Sequence, residues 1–311
     1  MTDQTTPARP RPGGTFDFAG RTVARIGYGA MALERFADDR ATGERLVRLA
    51  VEHGVDHVDT ADFYGDGTAN DIIRKAIGAD EAVLVASKIG AVRNPGGPLP
   101  LRPAQKPGEL RAAVEDNLRT LGRDRVDLVN LRRLDVGPGI SAEGDQVVDL
   151  DDQLAEMTAM RDEGLIGAIG LSGVDAAALR RALPVGVACV QNAYNLLARQ
   201  FEDMLELCAA ERIAWVPFFP LGSAFPGTPK VAEQPEVRAA AERLGATPSQ
   251  VGLAWLLRHA PNTLLIPGTG DAGHLAENVA AGGIALGDET VAELDGLWAA
   301  RFKGEADGGP A

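Results

Sequence analysis

Polar side chains recur where apolar runs end. Asp59 closes the run beginning at His57, and Tyr64 follows five residues later in DTADFYG. Lys88 closes AVLVASK, Arg132 closes RVDLVNLR with Asp135 close behind, Ser172 closes AIGLS, and Gln191 lies within CVQNAYN. A phenol, an ammonium and a carboxylate brought together suggest acid catalysis by a tuned tyrosine. A free tyrosine, with a pKa near about 10, is too weak an acid to protonate an alkoxide efficiently at neutral pH. A neighbouring ammonium favours the tyrosinate and makes the phenol more acidic, and a carboxylate keeps that ammonium charged and fixed. Asp59, Lys88 and Tyr64 can form such a chain.

Each residue taken singly has a plainer reading. An aspartate at a strand end is often a cap, a tyrosine a rim aromatic, and a lysine a solvated head on an apolar stem. Lys88 is the most telling of the three, because an unpaired charge closing an apolar run is costly.

These residues need a scaffold whose strand ends converge. Eight short apolar runs alternate with amphipathic stretches: Arg25–Met31, His57–Ala61, Ala82–Ile89, Arg125–Arg132, Ala168–Gly173, Cys189–Asn195, Ala214–Gly222 and Asn262–Gly270. Between them, Leu46, Val47, Leu49, Ala50 and His53 recur at helical spacing before Gly54, and Leu110, Ala113, Val114, Leu118 and Leu121 do so before Gly122. Thr247 reads as an N-cap ahead of Pro248, and Asp288 opens a closing helix. Strand–helix alternation repeated eight times predicts an α/β fold, a (β/α)8 TIM barrel, preceded by a hairpin around Ala19–Gly20. A dinucleotide-binding open sheet is rejected, because Gly27-Tyr28-Gly29-Ala30-Met31 lacks a third glycine in register and does not lead at once into a helix. Two long loops, 91–107 and 223–235, leave strand ends on the face where barrel active sites lie and read as pocket walls or lids. Residues 15–300 are expected to form one domain, with 1–14 a disordered lead-in and 301–311 a frayed tail.

Composition narrows the partners. The 311 residues carry a formal charge of −13, which repels nucleic acid and acidic membranes, so any anionic ligand must be held by local donors. Two cysteines in apolar stretches give no disulfide framework and suit a reducing, cytoplasmic setting. No apolar run is long enough to span a bilayer. No metal-ligand cluster is evident.

The blocks GVDHVDTADFYG, LVASKIG, VDLVNLRRLD, IGLSG, VQNAYN, VPFFPLGS and LLIPGTGDAGHLAEN resemble, in order, those of the aldo-keto reductases. The resemblance runs from about Thr15 to Trp298 and is nearest to the bacterial pyridoxal reductase-like subgroup. It implies that Asp59, Tyr64 and Lys88 are three members of the family's catalytic tetrad. The fourth, a histidine, is replaced by Arg132. Arginine cannot shuttle a proton, but it can donate to a developing oxyanion, favour tyrosinate, or pair with an anionic substrate oxygen such as the 3-oxide of pyridoxal. The plainer alternative is that Arg132 pairs with Asp135 or Asp59 and only props the pocket.

The same resemblance implies a nicotinamide coenzyme along Gly29, Ala30, Met31 and Asp59. Ser172 and Gln191 would meet the carboxamide, with Gly173 standing where asparagine is usual. Phe218 would stack on the ring beside Phe219, and Leu221, Gly222 and Ser223 would line the pyrophosphate path. Pro267, Gly268, Thr269, His274, Glu277 and Asn278 would hold the adenosine end, with phosphate on backbone N–H groups at the helix start. Many members carry a basic residue in this last block, and here His274 stands where arginine is common. NADP(H) is expected ahead of NAD(H), with NAD(H) still open.

The expected function is reduction of a small aldehyde or ketone to an alcohol, with pyridoxal as the first substrate to try. Phe36, Phe63 and Phe225 are candidate pocket walls. Two rivals stand beside it: an NADPH-binding redox sensor or regulatory subunit with little turnover, motivated by the missing histidine, and a Schiff-base aldolase using Lys88. Oligomeric state is not legible.

Overall fold

A computed structural model describes residues 11–78, 80–137, 139–222 and 229–306, with side chains through residue 299. Strands β1 (Thr15–Phe18) and β2 (Arg21–Ala24) form the expected antiparallel hairpin, turning at Ala19–Gly20. Then come β3 (Tyr28–Gly29), β4 (His57–Asp59), β5 (Leu84–Ile89), β6 (Ala91–Arg93), β7 (Leu101–Pro103), β8 (Val126–Arg132), β9 (Ile166–Ser172), β10 (Val187–Gln191) and β11 (Ala214–Trp215). The helices are α1 (Arg40–Glu52), α2 (Thr68–Ile77), α3 (Pro107–Leu121), α4 (Leu150–Asp162), α5 (Ala176–Ala182), α6 (Glu202–Ala210), α7 (Pro235–Leu244), α8 (Pro248–His259), α9 (Ala272–Ala280) and α10 (Asp288–Ala306).

Seven strands form one parallel sheet in the order β11-β10-β9-β8-β5-β4-β3. The eighth run, 262–270, is not a regular strand. It contributes two isolated parallel bridges, Trp215↔Thr263 and Ile26↔Leu265, which join the two edges of the sheet and close the barrel. Pro267 has no N–H to offer a ladder, so pairing cannot continue toward the mouth. The same cause cuts the seventh run short: β11 ends at Trp215, before Pro217 and Pro220, and Phe219 sits in the left-handed region with φ 56°. The first run is shortened as well, because Ala30–Phe36 turns into a 3-10 helix.

The barrel interior is filled by Leu84, Ala86, Leu128, Cys189, Ala214, Val216, Leu264 and Ile266, against which Phe18 and Val23 of the hairpin pack. Phe18 meets the buried ring of His57 edge-on, which places the hairpin under the N-terminal ends of the strands. A second, larger core joins the strands to the surrounding helices through residues such as Val58, Ile72, Val85, Val129, Met157 and Trp255.

Helix signals hold where the chemistry is local. The Thr247 hydroxyl accepts from the N–H of Gln250, and the Gln250 side chain returns the bond to Thr247. Gly122 ends α3 in the left-handed conformation. Two expectations change. The segment 91–107 is not an open loop: β6 and β7 pair in it, with Ala91 opposite Pro103. The closing helix runs on to Ala306, past residue 300. The expected lead-in overlaps the description only at 11–14.

Candidate active site

The register of the parallel strands sets the site. Gly29 lies opposite Asp59, Lys88 opposite Asn130, and Ser172 opposite both Arg132 and Gln191. Asp59, Lys88, Arg132, Ser172 and Gln191 therefore meet at the C-terminal end of the barrel. Tyr64 joins them on the turn after β4, where its N–H donates to the Ala61 carbonyl and the Gly67 N–H donates to the Asp62 carbonyl.

Lys88 and Asp59 are buried and form a direct ion pair; the Lys88 ammonium also donates to the Thr60 carbonyl at 3.0 Å. The ammonium lies 5.1 Å from the centre of the Tyr64 ring. Burial alone would push the Lys88 pKa down. Asp59, and after it Tyr64, overcome that and hold the lysine above its ordinary value. Lys88 is thus a fixed cation facing a half-buried phenol, and its pairing with Asp59 argues against use as a neutral Schiff-base amine.

The second oxygen of Asp59 accepts from the Gln191 amide at 2.7 Å. This leaves the Gln191 carbonyl oxygen buried and without a donor among the described residues. An orphaned acceptor in a buried site is costly unless something brings it a hydrogen bond.

Arg132 pairs with neither Asp135 nor Asp59. Asp135 is held by Arg133 at 2.9 and 3.1 Å, and Asp59 is taken by Lys88 and Gln191. Among the described residues the Arg132 guanidinium has no hydrogen-bond or ion-pair partner. Burial pushes its pKa down, and the opposing influence comes from Tyr64. Its backbone is stapled in place: the Gln105 side-chain amide donates to the Arg132 carbonyl at 2.8 Å and to the Gly90 carbonyl at 2.6 Å. Sequence reasoning missed this support, since Gln105 lies in an aperiodic segment.

A polar network behind the strands was equally invisible. The Thr60 hydroxyl donates to the Asn70 side-chain oxygen, the Asn70 amide donates to Asn117 and Thr120, and Ser87 donates to Asn117 at 2.5 Å. Thr60 and Ser87 adjoin Asp59 and Lys88 in the chain, so α2 and α3 clamp the two strand ends that carry the ion pair.

Around this centre, Gly29 and Gly268 approach backbone to backbone; a Cβ on either would strike the other segment. The Tyr28 hydroxyl donates to the Thr269 carbonyl at 2.7 Å, which ties the last block to the strand beside Asp59. Ala30 is buried and Met31 exposed. Phe218 and Phe219 meet edge to face at 5.1 Å beyond β11, and Leu221 and Gly222 continue that wall. Ser223 and Phe225 lie outside the described residues. Phe63 is buried beneath β7 with Ala61, Ala91 and Leu101, and Phe36 packs into the outer core.

Gly173 has φ +62°, and a Cβ there would press on the Val136 carbonyl at 3.2 Å. Pro267 is buried, while Glu277 and Asn278 are half-buried on α9. The Glu277 carbonyl accepts from Gln250 at 3.0 Å. His274 is 70% exposed. Among the described residues no group of three or more His, Cys, Asp or Glu could hold a metal ion, and no helix is long and apolar enough to cross a membrane.

The aldo/keto reductase family model matches residues 25–299. The chain belongs to that family. It is 41% identical over 291 residues to the pyridoxine 4-dehydrogenase of Escherichia coli (strain K12), a match covering 91% of this chain and 98% of the relative. An uncharacterised oxidoreductase of Schizosaccharomyces pombe is 36% identical over 292 residues, covering 91% and 89%. Among solved structures, an aldo-keto reductase from Klebsiella pneumoniae in complex with NADPH superimposes with a TM-score of 0.77 at 28% identity, covering 92% of this chain and 95% of that one. Family membership makes the chain an oxidoreductase on a (β/α)8 barrel.

Proposed function

We propose that the protein is an NADP-dependent reductase of small aldehydes or ketones, and that pyridoxal and pyridoxine are the aldehyde–alcohol pair it interconverts. The observation that carries this reading is the unpartnered Arg132 guanidinium beside Tyr64, above an intact Asp59–Lys88 pair. The 41% identity to a pyridoxine 4-dehydrogenase supports the choice of substrate, and the NADPH-bound neighbour supports the choice of coenzyme.

The coenzyme fits the residues present. The orphaned Gln191 oxygen would accept from the carboxamide, with Ser172 beside it in the sheet and Phe218 as the aromatic that would meet the ring. A nicotinamide coenzyme held there supplies the hydride that reaches the carbonyl carbon.

The chain's own residues do the rest. Arg132 donates to the carbonyl oxygen and orients it, and it offers a cation to an anionic ring oxygen such as the 3-oxide of pyridoxal. Tyr64 gives its hydroxyl proton to that oxygen as the carbonyl becomes an alcohol. The negative charge left on the phenol is held by the Lys88 ammonium, which Asp59 fixes in place, and a solvent proton then restores the hydroxyl.

The test is consumption of NADPH with pyridoxal. Turnover by the native enzyme and its loss in Arg132→Ala are expected. Unchanged turnover of every carbonyl substrate in that variant would refute the role of Arg132. NADPH binding without turnover of any carbonyl compound would favour a sensor over a reductase.

A further inference from the structure

The block 266–278 has no lysine or arginine, and two of its backbone N–H groups are already engaged. The Asp271 carboxylate caps α9 by accepting from the His274 N–H at 2.8 Å, and the Thr269 hydroxyl accepts from the Asp271 N–H at 3.1 Å. A phosphate arriving at this turn meets a carboxylate and an exposed imidazole, with no lysine or arginine from the block itself. By itself the turn is a poor host for a dianion.

A cation reaches it from elsewhere. Arg35, near the end of the 3-10 segment Ala30–Phe36, lays its guanidinium against Gly270: a Cβ built on that glycine would stand 3.0 Å from Cδ and from one terminal nitrogen, and 3.2 Å from Nε. Arg35 is exposed, and among the described residues it has no hydrogen-bond or ion-pair partner despite Glu34, Asp38 and Asp39 nearby in the chain. On the same side, a cavity of about 460 Å³ is lined by Arg45, Arg48, Gly270 and Ala272. There Arg48 is spent on Glu44 at 3.1 Å, and Arg45 donates to the Thr42 hydroxyl.

We propose that Arg35 is the residue that selects NADPH over NADH, by placing its guanidinium on the 2′-phosphate from across the barrel seam beside Gly270. The inference rests on the coenzyme reading above and adds to it a specificity-determining residue outside the block where basic residues are usual in the family. Guanidinium suits the task because it offers a planar pair of donors to phosphate oxygens and stays charged. Its charge also offsets Asp271 in a protein whose net charge is strongly negative.

The experiment is coenzyme binding without substrate, followed by tryptophan fluorescence or calorimetry at fixed ionic strength. NADPH and NADH are titrated into the native protein and into Arg35→Ala, Arg35→Lys and Arg48→Ala. Arg35→Ala is expected to raise the NADPH dissociation constant by about 10-fold or more while leaving NADH unchanged. Arg35→Lys should fall between, and Arg48→Ala, already neutralised by Glu44, should match the native protein. Undiminished NADPH affinity in Arg35→Ala, or an equal loss for both coenzymes, overturns the proposal while leaving the reductase reading intact. Failure of the native protein to bind either coenzyme overturns both.

Discussion

The side-chain amide of Gln191 donates to Oδ2 of Asp59 at 2.7 Å, while Lys88 holds the other oxygen of the same carboxylate. One aspartate therefore orients two side chains, the cation facing the phenol and the buried acceptor proposed for the coenzyme. Replacing Gln191 by leucine should weaken coenzyme binding about tenfold, because one buried hydrogen bond is lost and one Asp59 oxygen is left unpaired. Binding isotherms for the two proteins check this; equal affinities would remove Gln191 from the coenzyme site.

Tyr64→Phe removes the transferable proton and leaves the ring. Turnover should fall by about 100-fold to 10,000-fold with NADPH affinity kept. Steady-state assays paired with coenzyme titration separate the two effects, and near-native turnover would end the case for Tyr64 as the acid.

Lys88→Met breaks the buried pair from one side and leaves Asp59 charged with only Gln191 as partner. A loss of stability of about 3–5 kcal/mol is expected alongside loss of activity. In Lys88→Met with Asp59→Asn the carboxylate is also gone, so stability should recover in part while activity stays lost. Urea unfolding of the three proteins reads the difference.

Glu202 gives a pH test of the scaffold. Burial works against its charge, but hydrogen bonds from His259, Arg199 and Tyr194 win and pull the carboxyl down to about 2. Its folded value lies below the unfolded value of 4.5, so its contribution is complete above about pH 4.5 and fades as pH falls toward 2. That contribution is on the order of 3 kcal/mol. Glu202→Gln should therefore destabilise the protein at pH 7 and much less at pH 3; a deficit independent of pH would contradict the assignment.

Cys189 and Cys208 are both buried and free, and burial pushes both thiols up, Cys208 to about 12. Neither should react with a disulfide reagent at pH 8 until the protein is unfolded, when two equivalents should titrate. A fast-reacting thiol in the folded protein would show that one of these sites opens.

What could be read from the chain follows from where the signals are local. The eight-fold alternation and the caps at Thr247 and Gly122 are written in nearest-neighbour chemistry. The mouth residues were legible because strand ends in a closed parallel barrel have one destination. The eighth strand was overdrawn because the apolar run does not reveal that Pro267 halts the ladder. The clamp formed by Asn70 and Asn117, the staple from Gln105 and the contact between Arg35 and Gly270 all join residues remote in sequence. No periodicity or motif announces such pairs; they exist only once the barrel has closed.

The hairpin that carries Phe18 and Val23 stoppers the far end of the barrel, so the enzyme has a single doorway. Whatever enters to react must leave by the route it came, so arrival and departure compete for one opening.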